Sequence, residues 1–138
     1  MPDPEPVTLS TLGPHSPEYT RRVAGVAAEA VRVLNHATGN HAAEALEFPS
    51  DVDTVLAHLE ALAAMLPQLH GQLLAWLQDQ NSAGRIRLDH GRDSVAAVME
   101  VGMDLLDASV AAGRLQDALT AARCWTATMA AAGGGTDG

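Results

Sequence analysis

The chain has 138 residues, in which 17 Asp and Glu face 8 Arg and no Lys, for a formal net charge of −9. Its length suits one domain, and its Ala and Leu far outnumber Ile, Phe and Tyr, which favours helices over strands. The charge disfavours nucleic acid and anionic membrane surfaces, no apolar run reaches the roughly 20 residues that span a bilayer, and the one cysteine, Cys124, excludes an internal disulfide framework.

Residues 1–15 carry Pro2, Pro4, Pro6 and Pro14 and little to bury, so they read as a flexible or extended arm. The opening Met-Pro-Asp-Pro-Glu-Pro has neither the basic flank nor the apolar stretch of a signal peptide, and a cytoplasmic location is expected. A first helix is predicted over 17–38: Ser16 stands at the N-cap, Pro17 at the first helical position and Glu18 at the positive end of the dipole. Tyr19, Val23, Val26, Ala30, Val33 and Ala37 recur at steps of three and four, and Gly39 is placed to stop the helix as a left-handed residue. One helical turn fits between Ala42 and Glu47.

Ser50 and Asp53 have the spacing of a capping box that opens a second helix over 51–80. Its apolar positions Val52, Val55, Leu56, Leu59, Leu62, Ala63 and Leu66 precede Pro67, and the stripe resumes in phase at His70, Leu73, Leu74 and Leu77. A helix restarted after a true break would lose that phase, so one kinked helix is expected. Arg85–Gly91 alternates like a strand but has no partner strand, and reads as an ordered loop with Ile86 and Leu88 tucked in. Asp93 or Ser94 then caps a third helical region over 94–132.

In that region Val95, Met99, Met103, Leu106 and Val110 form one stripe, and Leu115, Ala118, Ala122, Trp125 and Met129 form another, rotated by over roughly 100° from the first. The slip falls at Gly113. Either the helix breaks there, or it continues and changes the partner it packs against; no capping residue waits at Arg114, which favours continuity. Neither half keeps apolar residues at heptad a and d, which argues against a long coiled coil. The expected fold is thus all-α, a bundle of three to four main helices, with 16–132 as a single domain and 133–138 a disordered Gly-rich tail. Helices of roughly 33, 45 and 57 Å cannot cover one another fully, so an unbroken last helix leaves its Trp125 and Met129 end in need of a partner. Self-association as a twofold dimer is the simplest remedy.

Several residues invite chemistry. His36, His41 and Glu44 are candidate metal ligands, but His-x4-His across Gly39 does not align on a helix and no His-Glu-x-x-His or paired cysteine accompanies them, so a polar linker is the better reading. His70 falls on the apolar stripe, where a satisfied core histidine outweighs a ligand contact. Cys124 beside Trp125 reads as a buried small hydrophobe rather than a nucleophile. Trp76 lies on the flank of its stripe next to Leu69 and Leu73 and is the residue best placed to be an exposed anchor. With no GxGxxG or Walker-type loop, no cofactor is expected.

Val33–Thr38 (Val-Leu-Asn-His-Ala-Thr), Phe48–Leu56 (Phe-Pro-Ser-Asp-Val-Asp-Thr-Val-Leu) and Leu66–Leu69 (Leu-Pro-Gln-Leu) resemble small uncharacterised helical proteins of high-GC actinobacteria, found among plasmid and mobile-element gene clusters. Arg without Lys fits such a genome. The resemblance implies a cytoplasmic bacterial protein and carries no activity. On the residues, the expected function is a non-enzymatic interaction or self-association module whose partner is itself or another protein, with Trp76, His70, Trp125 and Met129 as contact candidates. The alternative is a small-molecule or metal-binding regulator with a pocket beside Pro67.

Overall fold

A computed structural model describes residues 5–40 and 42–130. It is all-α, as the composition indicates: α1 (Pro17–Thr38), α2 (Ala42–Ala45), α3 (Pro49–Ser82) and α4 (Ser94–Thr126), with a 3-10 turn at Asp89–Gly91 and no strand among the described residues. The stretch read as one domain falls into two compact units, Met1–Glu47 and Phe48–Gly138. The Gly-rich tail, residues 1–4 of the arm and His41 lie outside the described residues.

In the first unit the α1 N-terminus forms as its sequence signals. Ser16 Oγ accepts from the Tyr19 N–H at 3.0 Å and Pro17 occupies the first turn, so an orphan donor is satisfied where proline costs nothing. The arm lies along this end of the helix: the Tyr19 hydroxyl donates to the Thr8 carbonyl at 2.8 Å and accepts from the Ser10 N–H at 3.0 Å. Arg22 donates to the Glu5 carbonyl at 2.7 Å, and the His15 and Tyr19 rings stack with centroids 5.0 Å apart. The helix ends at Gly39, but not in the left-handed conformation expected, because its φ is −83°. Glycine is favoured there by close approach instead: a Cβ would stand 3.0 Å from the Asn35 carbonyl oxygen.

The second unit is an antiparallel hairpin of α3 and α4. Pro49 occupies the first turn of α3, and the Phe48 N–H donates to the Asp51 carboxylate at 2.8 Å. The cap therefore sits two residues before the expected Ser50, because proline at 49 fixes the first helical φ there. The helix runs unbroken through Pro67 to Ser82, and α4 runs unbroken through Gly113. Asp93 caps α4 by accepting from the Val95 N–H at 2.9 Å. Its C-terminus comes at Thr126 rather than 132, where the Ala127 and Thr128 amides turn back onto the Arg123 and Trp125 carbonyls. Met129 thus lies beyond the helix and outside the stripe assigned to it.

Between the helices, Ile86 and Leu88 are half-buried, and the chain reverses through His90 at φ 63° and Gly91 at φ 66°. Two successive left-handed residues need glycine at one of them. A Cβ on Gly91 would meet nothing within 4 Å, so only its backbone conformation resists a side chain. Gly91→Ala is therefore expected to cost about 1 kcal/mol, measurable by urea unfolding.

Candidate interaction surface

The seam between α3 and α4 takes only part of the stripe that hydropathy picks out, namely Leu56, Ala63, His70, Leu74 and Leu77, and adds polar residues to it. Along α3 the positions turned to the partner helix are Asp53, Leu56, Glu60, Ala63, Pro67, His70, Leu74, Leu77 and Asn81, all buried or half-buried. Along α4 they are Val98, Gly102, Leu105, Ser109, Ala112, Gln116, Leu119, Arg123 and Thr126. Both series advance by alternating steps of three and four, the 3.5-residue spacing of a supercoiled pair. Heptad spacing is therefore present, but, as the sequence indicates, it is not kept by apolar residues throughout: leucines and Val98 alternate with small and polar side chains. Ala63 is fully buried and Ala112 nearly so, and a Cβ added to Gly102 would approach Leu74 to 3.4 Å. Small side chains let two backbones approach closely, which leaves little room for larger ones at Ala63 and Ala112.

Polar contacts fix the register. At the open end Thr126 donates to Asp53 at 2.7 Å, while Arg123 reaches Glu60 at 3.0 Å and Asp53 at 3.4 Å. Midway, the His70 ring nitrogen Nδ1 and the Ser109 hydroxyl share a hydrogen bond at 2.9 Å. The Asp53 carboxyl is held below its ordinary value chiefly by the Thr126 hydroxyl and then by Arg123. The Glu60 carboxyl is held low chiefly by Arg123 and then by Thr120. A carboxyl whose folded-state pKa lies below its unfolded value adds stability above the unfolded value and loses it as pH falls through the folded one. The hairpin is accordingly expected to weaken as pH falls below about 5, and Arg123→Met to flatten that slope in thermal melts followed across the acid range.

His70 and Ser109 both line a cleft of about 300 Å³ beside Pro67, with Gly71, Leu74, Gly102, Leu105 and Leu106. A second cleft of about 440 Å³ continues along the same side, past Gln78, Met99 and Met103. The Ser–His pair has no backbone donors to hold an oxyanion, since the mid-helix amides around it are committed to intrahelical bonds. It ties the seam together.

Because Gly71 and Gln78 of α3 line these clefts together with Met99, Met103 and Leu106 of α4, those positions share one face of the hairpin. The opposite flank of α3 carries Val52, Val55, Leu59, Leu62, Leu66, Leu69, Leu73 and Trp76, again at alternating steps of three and four and without one polar residue. On the same side α4 presents Val101, Asp104, Ala108, Ala111, Leu115, Ala118, Ala122 and Trp125. Much of this face is open: Leu69 and Leu73 are about half exposed, Trp76 61% and Trp125 72%. The two stripes read along the last helix, out of phase at Gly113, thus lie on opposite faces of the hairpin. Both stripes flank the seam rather than form it, and Met103 and Leu106 on the cleft side are 62% and 65% exposed.

The structure separates the contact candidates. Trp76 and Trp125 sit on the outer face at its two ends, on different helices. His70 is in the seam and opens to the cleft, on the side away from Trp76. Cys124 is exposed, not buried as its neighbours implied. Among the described residues no group of three His, Cys, Asp or Glu is arranged to hold a metal ion; His36 closes α1 and Glu44 lies in α2. Hydropathy alone missed the seam contacts of Asp53, Glu60, Arg123 and Thr126, although opposite charges at heptad spacing on the two helices, Asp53 and Glu60 against Arg123, were a signal. Comparison with protein-family models, curated proteins and solved structures finds no match.

Proposed function

We propose that this chain is a non-enzymatic helical interaction module, accessory or regulatory in role, that works by presenting the outer face of its α3–α4 hairpin to a protein surface. One observation carries the reading: beside the mixed seam, α3 keeps an uninterrupted apolar stripe from Val52 to Trp76, of which Leu62, Leu69, Leu73 and Trp76 are exposed. Exposed apolar patches above a few hundred Å² are unusual on monomers and mark interaction sites. The acidic charge argues against nucleic acid and anionic lipid as the partner, and no helix among the described residues is long and apolar enough to cross a membrane. A cytoplasmic location fits this use.

The test is binding by immobilised full-length protein, offered both cell lysate and its own soluble form. Retention is expected, and Leu69→Glu with Trp76→Glu should abolish it at unchanged helical circular dichroism. No retention by the unaltered protein, or equal retention by the variant, overturns the proposal. The cleft beside Pro67 supports a second reading, a small apolar ligand held against Gly71 and Gly102. Such a ligand at a hundred times its Kd would stabilise the fold by about 2.7 kcal/mol, which a thermal-shift screen reads directly.

A further inference from the structure

We infer that the surface covering the outer face is a second copy of this chain, laid face to face about a twofold axis that runs along the hairpin, so that two hairpins make a four-helix bundle. This deepens the interaction reading and rests on it. The first argument is relief. On the outer face α3 raises a continuous ridge of leucines, among them Leu62, Leu66 and Leu69, while the neighbouring stripe of α4 is lower over most of its length, with alanines at 108, 111, 118 and 122 interrupted by Leu115 and closed by Trp125. One chain thus carries both a ridge and a groove, side by side on one surface. Rotation by half a turn about an axis parallel to the helices brings the α3 ridge of each copy over the α4 groove of the other, and every contact is made twice. Each helix then runs antiparallel to both its neighbours, as in up-down bundles.

Area and charge agree. The stripe from Val52 to Trp76 is about 36 Å long at 1.5 Å per residue, and two helices are about 20 Å across. The face therefore offers roughly 700 Å² per copy, close to the roughly 800 Å² per partner of a stable interface. A chain of net charge −9 repels itself, yet the α3 stripe has no charged residue and the α4 stripe only Asp104, near the loop end of the hairpin. The other acidic groups lie elsewhere, so apart from Asp104 at the end of the face two copies meet without bringing like charges together.

The axis fixes the levels of contact. Asp53 opposite Thr126 and His70 opposite Ser109 define which residues of α3 and α4 stand at one height. Leu62 and Ala118 share a height, and a rotation about an axis along the helices preserves it. Leu62 of one copy then faces Ala118 of the other. Two measurements on the full chain test this. In sedimentation, the unaltered protein is expected to be a dimer; Leu62→Glu with Leu69→Glu should weaken it by roughly 100-fold or more at unchanged helicity. Met103→Glu with Leu106→Glu, on the opposite face, should leave it a dimer. In a Cys124→Ser background, Leu62→Cys with Ala118→Cys should yield a covalent dimer on oxidation and Leu62→Cys alone should not.

A strict monomer at all concentrations overturns the inference, whether the face stays bare or another part of the same chain covers it. So does a dimer broken by the Met103 and Leu106 changes instead, or a covalent dimer from Leu62→Cys alone, which would stack α3 on α3. If the protein is monomeric but the Leu69 and Trp76 variant still loses a different partner, the self-association fails and the interaction reading stands.

Discussion

Ala63→Leu is expected to destabilise the hairpin by about 1–3 kcal/mol, lowering its melting temperature by roughly 5–20 °C. Ala63 is fully buried on α3, and the register set by His70 with Ser109 and Asp53 with Thr126 turns it towards α4 between Ala112 and Gln116. A seam built on Ala63, Gly102 and Ala112 holds its backbones close, so three added carbons have no space to enter. Relief requires the helices to separate, which loosens Leu56 and Leu74 on either side and lengthens the hydrogen bonds of Arg123 and His70. Ala61→Leu, two residues away on an exposed side of the same helix, adds the same carbons and has nearly the same helix propensity. It should shift stability by no more than about 0.5 kcal/mol. The contrast between the two variants, read by urea unfolding under circular dichroism, isolates closeness of packing from hydrophobicity. Equal effects would mean that the seam is loose and that small residues there are incidental.

The helices were legible in the sequence because their end signals are local. Ser16 with Pro17 and Asp93 before Val95 each satisfy amides within one turn, and local chemistry does not depend on the rest of the fold. The Phe48 cap was missed by two residues because the spacing of Ser50 and Asp53 imitates a capping box, while the proline at 49 decides where the helix begins. The continuity of α4 through Gly113 was legible for a related reason: nothing at Arg114 was equipped to start a new helix.

Partnership was harder to read. Hydrophobic periodicity assigns the most apolar stripe to the core on the premise that one stripe faces one partner. On α3 two heptad series run side by side, one mixed and one wholly apolar, and the mixed one faces α4. Its Ala63, and Gly102 on α4, gain from closeness rather than from transfer of large apolar groups. Asp53, Glu60, Arg123 and Thr126 gain from one another, an energy that no single-residue scale contains. The phase slip at Gly113 was a true signal whose cause lay beyond one helix: α4 changes which face of the hairpin carries its bulky residues, from the cleft side at Met99, Met103 and Leu106 to the outer side at Leu115 and Trp125.

Pro67→Ala is expected to act in the other direction and raise the stability of the hairpin by about 1–2 kcal/mol. Pro67 stands in the interior of a helix of 34 residues, with no N–H to offer the carbonyl of Ala63 and a ring that crowds it. Proline there is less favourable than alanine by about 3 kcal/mol. Against this, the variant loses two half-buried ring carbons from the seam, worth about 1 kcal/mol at about 0.8 kcal/mol for each fully buried methylene. The balance favours alanine, and the melting temperature should rise by roughly 5–15 °C. A dimer also gains apparent stability with concentration, so the comparison belongs in the Leu62→Glu, Leu69→Glu background, where only the hairpin unfolds. A gain there that is independent of protein concentration assigns the effect to α3 itself. A loss would mean that the proline ring packs against α4 more tightly than its half-burial indicates. Pro67 also forms a wall of the cleft that holds His70 and Ser109, so alanine at 67 widens that cleft at the point where its two polar groups meet. A stabilised variant that no longer gives a thermal shift with an apolar ligand would show that the chain keeps proline for the shape of the cleft.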